Sequence, residues 1–364
     1  MKTQKIKKDP IMKTIKTSLL DLPTPTSISF LWNMGFLLGM TLVLQIVTGL
    51  VVSMMYNSDA KEAFTSMVKI MQDINTGWVT RMLHMNGASL FFILLYIHTG
   101  RGIYFNSPMN QKKVWLSGVV ILLMVMATAF LGYVLPWGQM SFWGATVITG
   151  VLSAIPIVGN DLTIWIWGGP SVSSPTLNRF FSLHFLLPMI IAALAMVHLI
   201  LLHEKGSSNP ANTLTSSDKV KFNPLFSLKD SLPMILISIS LMVLISNNPN
   251  ALGDVENYNT ANPLNAPLHI QPEWYFLFAY VILRSIPSKL GGVIALAMSI
   301  LILTVLVTTK SKPTKFHPIK KSKVWTLISV IVILTWIGAK PVEAPYEGIG
   351  QIYSILYFIF MLTL

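Results

Sequence analysis

The sequence of 364 residues contains no cysteine. Disulfides, thiolate metal sites, iron–sulfur ligation and thioether-linked haem are therefore excluded. Charge is scarce as well. Only 11% of the residues are charged, where a soluble domain carries roughly 25%. With 53% of the chain hydrophobic, lipid rather than water must surround most of it. Acidic residues are the scarcer sign, 14 against 26 Lys and Arg, for a net charge of +12. In a soluble protein that balance would suggest nucleic acid. Here the lysines collect in a few short loops, so it reads as membrane sidedness and not as a nucleic-acid partner. The basic N-terminal stretch is not followed directly by an apolar core and a small-residue cleavage site.

Eight apolar stretches are long enough for ~30 Å of hydrocarbon. They run Trp32–Ser53, Trp78–Tyr104, Val114–Val134, Phe180–Leu202, Leu232–Ser246, Gly291–Thr309, Val324–Gly338 and Gly348–Leu364. The fifth and seventh are short. Eight crossings put both termini on one side, with the connections after the second, fourth and sixth spans. That side holds 19 of the 26 basic residues and five acids, a net of +14, against −2 opposite. The positive-inside rule makes it the matrix or cytoplasm. The long connections after the third and fifth spans lie opposite and contain WIWGGP and QPEWYF. They suit short interfacial helices and function. The expectation is an all-α integral membrane protein of eight transmembrane helices. Its first four bundle in residues 1–208, and a second four-helix part fills 209–364.

The second span carries His84 and His98, and the fourth carries His184 and His198, both 14 residues apart. Fourteen residues are close to four helical turns, so each pair shares a face and is separated by ~21 Å along the axis. Two such helices can clamp two flat rings, one toward each membrane surface. Imidazole binds haem iron well, and bis-His ligation leaves no open position, which favours electron transfer over oxygen binding. Polar packing in a bundle is the bland alternative, but an equal gap in two spans argues against it. Gly35 and Gly49 in the first span, and Gly118 and Gly132 in the third, repeat the 14-residue gap. A residue without a side chain lets a porphyrin approach the backbone. Small residues also mediate helix packing. Arg81 and Arg101 lie three residues from His84 and His98 and could meet propionates, assisted by Arg179 and Trp115, or could simply snorkel. Pro188 removes a backbone hydrogen bond in the fourth span.

GYVLPWGQMSFWGATVIT (132–149), PEWYFLFAYVILRSIPSKLGG (272–292), the four histidines and the four glycines closely resemble the mitochondrial cytochrome b family. The resemblance runs from about Asp21 to the C-terminus. It implies a subunit of quinol:cytochrome c oxidoreductase, the respiratory cytochrome bc complex. Such a subunit takes electrons from ubiquinol at an outer site, passes them through two non-covalent b haems and delivers them to quinone at an inner site, in a Q cycle. His84 and His184 would ligate the outer, low-potential haem iron, and His98 and His198 the inner one. One intervening span makes the second and fourth parallel, which selects the same pairs. The chloroplast relative divides the chain after the fourth span, so continuity favours the mitochondrial or bacterial form. The implied setting is the mitochondrial inner membrane with both termini in the matrix. The implied partners are a Rieske iron–sulfur protein, a cytochrome c-type subunit, core and small accessory subunits, cardiolipin and a second copy of the complex.

Glu273 is an acid on the outer side in apolar surroundings. It reads either as a proton acceptor for quinol or as a helix-start acid, and the resemblance selects the first. Tyr133, Met140, Gly144, Pro272, Tyr275 and Tyr280 would line the same pocket. On the inner side His203 and Asp230 could hydrogen-bond quinone carbonyls and deliver protons, with Phe222 and Ser207 as family positions nearby. Phe36 stands where the family usually has Ser. His269 and His317 receive no role. A transmembrane ferric or ascorbate reductase would share the histidines but not the PEWY segment or four further spans. A transporter would need charged or broken helices at mid-membrane.

Overall fold

The computed structural model describes residues 9–211, 217–308 and 317–364. The lysines at 2–8 and 310–315 that weighed in the sidedness argument lie outside them. The elements are α1 (Pro10–Ile15), β1 (Pro23–Pro25), α2 (Met34–Ser53), α3 (Ala63–Gln72), α4 (Gly77–Tyr104), α5 (Ser107–Asn110), α6 (Lys112–Val134), α7 (Gln139–Gly150), α8 (Gly159–Trp167), α9 (Ser174–Lys205), β2 (Lys219–Lys221), α10 (Leu225–Asn247), α11 (Leu277–Arg284), α12 (Lys289–Leu301), α13 (Pro318–Gly338) and α14 (Tyr346–Thr363).

Among the described residues seven helices are long and apolar enough to cross a membrane: α2 with the turn before it, α4, α6, α9, α10, α12 with its 3-10 extension to Val307, and α13. The chain is a multi-pass membrane protein. The eighth expected span, α14, forms an 18-residue helix with Glu347 in its first turn and is not one of these seven. The fifth and seventh spans are longer than expected, because α10 starts at Leu225 and α13 at Pro318. Lys229, Asp230 and Lys320 had hidden their polar first turns. His317 sets the start of α13, its Nδ1 accepting from the Lys320 amide at 3.2 Å, with Pro318 at the first helical position. Short helices do form after the third span (α7 and α8). After the fifth span, a 3-10 turn at Trp274–Phe276 leads into α11. An amphipathic helix, α3, also fills the first connection, where none was expected.

Lipid inverts the usual distribution of side chains. Val43, Val47, Met196, Ile200, Leu232, Ile235 and Ile239 face outward. Threonine hydroxyls bond the carbonyl four residues back, as Thr41 does to Leu37 at 2.9 Å and Thr48 to Leu44 at 2.7 Å, so these hydroxyls do not meet hydrocarbon unpaired. The most extensive pairings are α6 with α9 and α2 with α4. A core of Phe92, Leu122, Val125, Ile282, Leu334 and Tyr357 joins this group to α11–α14.

Loop contacts sort the connections by side. β1 pairs antiparallel with β2, and Asp21 meets Lys221 at 3.2 Å, so the N-terminal arm lies with the α9–α10 connection. Gln111 donates to the Gly206 carbonyl at 2.8 Å, and Lys320 to Asn106 Oδ1 at 3.1 Å. These ties bring the α4–α6 connection and the start of α13 to the same face. Opposite, Gly138 bridges Thr260, Gln139 donates to the Asn265 carbonyl at 2.9 Å and Ser58 to Asn178 at 2.6 Å.

Candidate functional site

Four helices bring the histidines to two levels. The rings of His84 and His184 face each other with centroids 6.1 Å apart and planes at 88°. That separation lies in the edge-to-face range of ring packing and brings the two imidazoles to one level. His98 and His198 form the second level, with Arg101 beside both. The four glycines stand against these rings. A Cβ on Gly49 would lie 2.9 Å from His84, on Gly35 3.4 Å from His98 and on Gly118 3.3 Å from His198; on Gly132 it would clash directly with His184. The repeated glycine spacing thus makes room for the imidazoles, one glycine to one histidine.

Every Nδ1 is engaged. Thr48 Oγ1 holds that of His84 at 3.0 Å and Ser117 Oγ that of His198 at 2.8 Å. His184 Nδ1 donates to the Thr128 carbonyl at 2.8 Å. A carbonyl only accepts, so this bond fixes the proton on Nδ1 and leaves the Nε2 lone pair free. Among the described residues no hydrogen bond reaches any of the four Nε2 atoms. The sequence reading missed these orienting groups; a hydroxyl one residue from each of two glycines, Thr48 and Ser117, was the available signal. No cluster of three or more His, Asp or Glu able to hold a metal occurs among the described residues. The pairs therefore suit a metal that arrives with most of its own ligands, as in a porphyrin.

The fourth Nδ1, on His98, lies 3.4 Å from Arg101 Nη2. Arginine only donates, so this long contact suits the other tautomer. Arg101 Nε and Trp32 Nε1 are buried without partners, and the guanidinium sits 5.1 Å from the Trp32 ring. A carboxylate beside Arg101 would satisfy its Nε and release His98 Nδ1. The residues fit a haem with propionates at this level. Arg81 lies 6.0 Å from the Tyr258 ring near the outer level. Arg179 and Trp115 have partners within the protein. Arg179 caps α8 through the Trp165 carbonyl, and the Trp115 indole donates to the Leu303 carbonyl at 2.8 Å.

On the outer side, an open pocket of about 450 Å³ lies between α6, α7 and the segment before α11. Tyr133, Gly144, Pro272, Glu273 and Tyr280 line it, as expected. Met140 and Tyr275 are not among its lining residues. Met140 is fully buried, and Tyr275 stacks on Phe92 at 4.0 Å while its carbonyl accepts from Tyr96 at 2.5 Å. Both hold the wall from behind. Phe130, Ala145, Ile148, Ile270 and Phe276 line the pocket and were missed. Helical spacing from Tyr133 and Gly144 could have found Phe130 and Ile148. Glu273 sits in the connection between spans, and burial first, then the charge of Asp254, raises its carboxyl to about 7, against a hydrogen bond with Tyr133.

The inner residues are less gathered. His203 and Asp230 are both partly buried, and among the described residues no hydrogen bond reaches either side chain. Lys229 donates to the Ser29 carbonyl at 3.0 Å and to Asn33 Oδ1. Phe222 stacks on Phe226 at 6.0 Å, and Ser207 follows Gly206, whose φ of 76° turns the chain out of α9.

Residues 19–206 match the family described as cytochrome b/b6/petB, and residues 260–358 match cytochrome b(C-terminal)/b6/petD. The chain belongs to the cytochrome b/b6 family. One solved relative, a "Hyperthermophilic respiratory Complex III", is 30% identical, with a TM-score of 0.92 over 100% of this chain and 98% of its own. Both cytochrome b matches fall on the elements just described. The first holds all four histidines, and the second holds Glu273 and α11.

Proposed function

We propose that this chain is the cytochrome b subunit of a respiratory cytochrome bc complex of the complex III type, acting in quinol:cytochrome c oxidoreduction. The observation that carries the reading is the pair of histidine levels, where Thr48, Ser117 and the Thr128 carbonyl hold three of the four Nδ1 atoms and leave the Nε2 atoms free. His84 with His184, and His98 with His198, would hold two non-covalent b haems. When bound, they supply reversible one-electron carriage across the membrane. Arg101 and Trp32 would bind and orient the inner propionates, and Arg81 the outer ones. The four glycines keep the rings in place.

The pocket at Glu273 would take ubiquinol. Its apolar wall excludes water, Tyr280 and Pro272 shape it, and Glu273 accepts a hydroxyl proton. A carboxyl poised near 7 exchanges protons in both directions at neutral pH. On the opposite face His203 and Asp230, with Phe222 and Ser207, would bind ubiquinone and supply protons. The haem ligands all fall in the first part of the chain, 1–208, whereas the outer pocket joins Tyr133 and Gly144 of that part to Pro272 and Glu273 of the second, 209–364.

The lysine-rich face would be the matrix face of the mitochondrial inner membrane, with α14 as the eighth crossing. Partners would be a Rieske iron–sulfur protein, a cytochrome c-type subunit, accessory subunits, cardiolipin and a second copy. Reduced-minus-oxidised spectra of the purified complex test the reading. Two distinct low-spin haems are expected, both removed by acid–acetone and both reducible by quinol. One haem per chain, or haem retained on the polypeptide, would sink it.

A further inference from the structure

α11 ends on a cation with three partners. Arg284 Nη2 donates to the carbonyls of Ile337 at 2.5 Å and Lys340 at 3.0 Å, which close the C-terminus of α13. Both carbonyls lie at the C-terminal end of α13, where a cation is favoured, and that of Ile337 also accepts from the Lys340 amide at 2.9 Å. One turn back on α11, the Tyr280 ring lies 5.3 Å from the same guanidinium. Tyr280 in turn lines the outer pocket, and its hydroxyl donates to the Ile270 carbonyl at 3.2 Å. Ile270 begins the stretch Ile270–Glu273 that forms one wall of that pocket. The other side of Arg284 opens on a second cavity of about 230 Å³, bounded by Ser285, Pro341, Tyr346 and Glu347.

We propose that Arg284 is a positioning residue for the outer quinol pocket. It braces the Tyr280 ring, and through it the Ile270–Glu273 wall, against the C-terminal end of α13. Resting on the quinol reading above, this assigns a role to a side chain that touches no substrate. A planar guanidinium presents a rigid fork of donors to the carbonyls and a flat face to the ring, whereas an ammonium is a compact, strongly hydrated point charge.

The test is quinol turnover by the assembled complex. Arg284→Gln is expected to raise the quinol KM roughly fivefold with kcat little changed, and with both haem spectra intact. Arg284→Lys, which keeps the charge and three rotatable N–H donors but loses the planar fork, should recover part of the loss. In a Tyr280→Leu background the Arg284→Gln effect on KM should vanish, because its target ring is gone. An Arg284 effect of the same size in that background overturns the proposal, and so does an unchanged KM in Arg284→Gln. Where Arg284→Gln does not assemble, Arg284→Lys carries the same cycle with the same two outcomes. A wild-type complex that fails to oxidise quinol would instead overturn the functional reading, and the proposal with it.

Discussion

The histidines and glycines at 14-residue gaps were legible in the sequence because helical periodicity is local and strict. What the glycines face was not, since that depends on how α2 and α6 pack. The structure now ranks them. A methyl on Gly132 would run into the His184 ring and one on Gly49 would lie 2.9 Å from His84, whereas Gly118 and Gly35 leave 3.3 and 3.4 Å. Overpacking costs about 1–3 kcal/mol where the neighbour cannot move, and an imidazole bound to iron cannot. Gly132→Ala is therefore expected to lose or broaden the outer haem band, Gly49→Ala to weaken it, and Gly35→Ala to leave the inner band nearly intact. Equal effects at all four positions would show that the glycines respond to helix packing instead.

Glu273 was legible as an acid among apolar residues, but its strength depends on burial and on Asp254. Its carboxyl must be ionised to accept a proton. Quinol oxidation should therefore rise with pH through about 7 and level off above it. Glu273→Gln should be slower and lose this limb, with both haem spectra unchanged. The stability sign is opposite. A carboxyl raised from 4.5 to about 7 costs the fold stability as pH climbs between these values, and that cost persists above 7. The variant should therefore be at least as heat-resistant as the wild type at pH 8. A variant both slower and less stable there would point to a helix-start role.

At the scale of elements, apolar length found the spans but misplaced those with polar first turns, α10 and α13. It passed over α3 because amphipathic helices at an interface carry no long apolar run. Met140 and Tyr275 were assigned to the pocket because adjacent motif residues look equivalent in sequence. In the structure, Gly144, Ala145, Val147 and Ile148 of α7, with Pro272, Glu273 and Phe276, line the pocket, while Met140 and Tyr275 are buried in the core. α7 itself is held by the outer connection. Asn257 Oδ1 accepts from the Ser141 amide at 2.9 Å and its hydroxyl at 3.0 Å, and the Ser141 hydroxyl also reaches the Tyr133 carbonyl at 2.6 Å. Breaking buried bonds of this kind costs about 1–3 kcal/mol. Asn257→Ala is expected to loosen the α7 wall at Gly144 and Ile148. A higher quinol KM should result, with faster proteolysis near residues 250–262 and unaltered haem spectra. An unchanged KM would mean that α7 holds its place through Phe142 and Trp137 packing alone.

Across the whole molecule, the sequence placed the connections on two faces by charge, and the structure groups them likewise by contact. The N-terminal arm meets the α9–α10 connection through Asp21 and Lys221, which meets the α4–α6 connection through Gln111 and Gly206. Contact sorts loops together but does not say which face is which. Charge does, since a surplus of Lys and Arg in short loops is retained on the side from which the chain is inserted. Absence of cysteine makes the assignment directly measurable, because a single introduced thiol has no background in this chain. Lys112 opens α6 on the basic face, and Lys289 opens α12 on the other; both are exposed. In sealed inside-out vesicles of the native membrane, an impermeant maleimide should label Lys112→Cys and not Lys289→Cys. Right-side-out vesicles should give the reverse. Labelling of Lys289→Cys in the first preparation would invert the membrane. It would then put Glu273 on the inner face and His203 with Asp230 on the outer one, exchanging the proposed sites of proton release and uptake.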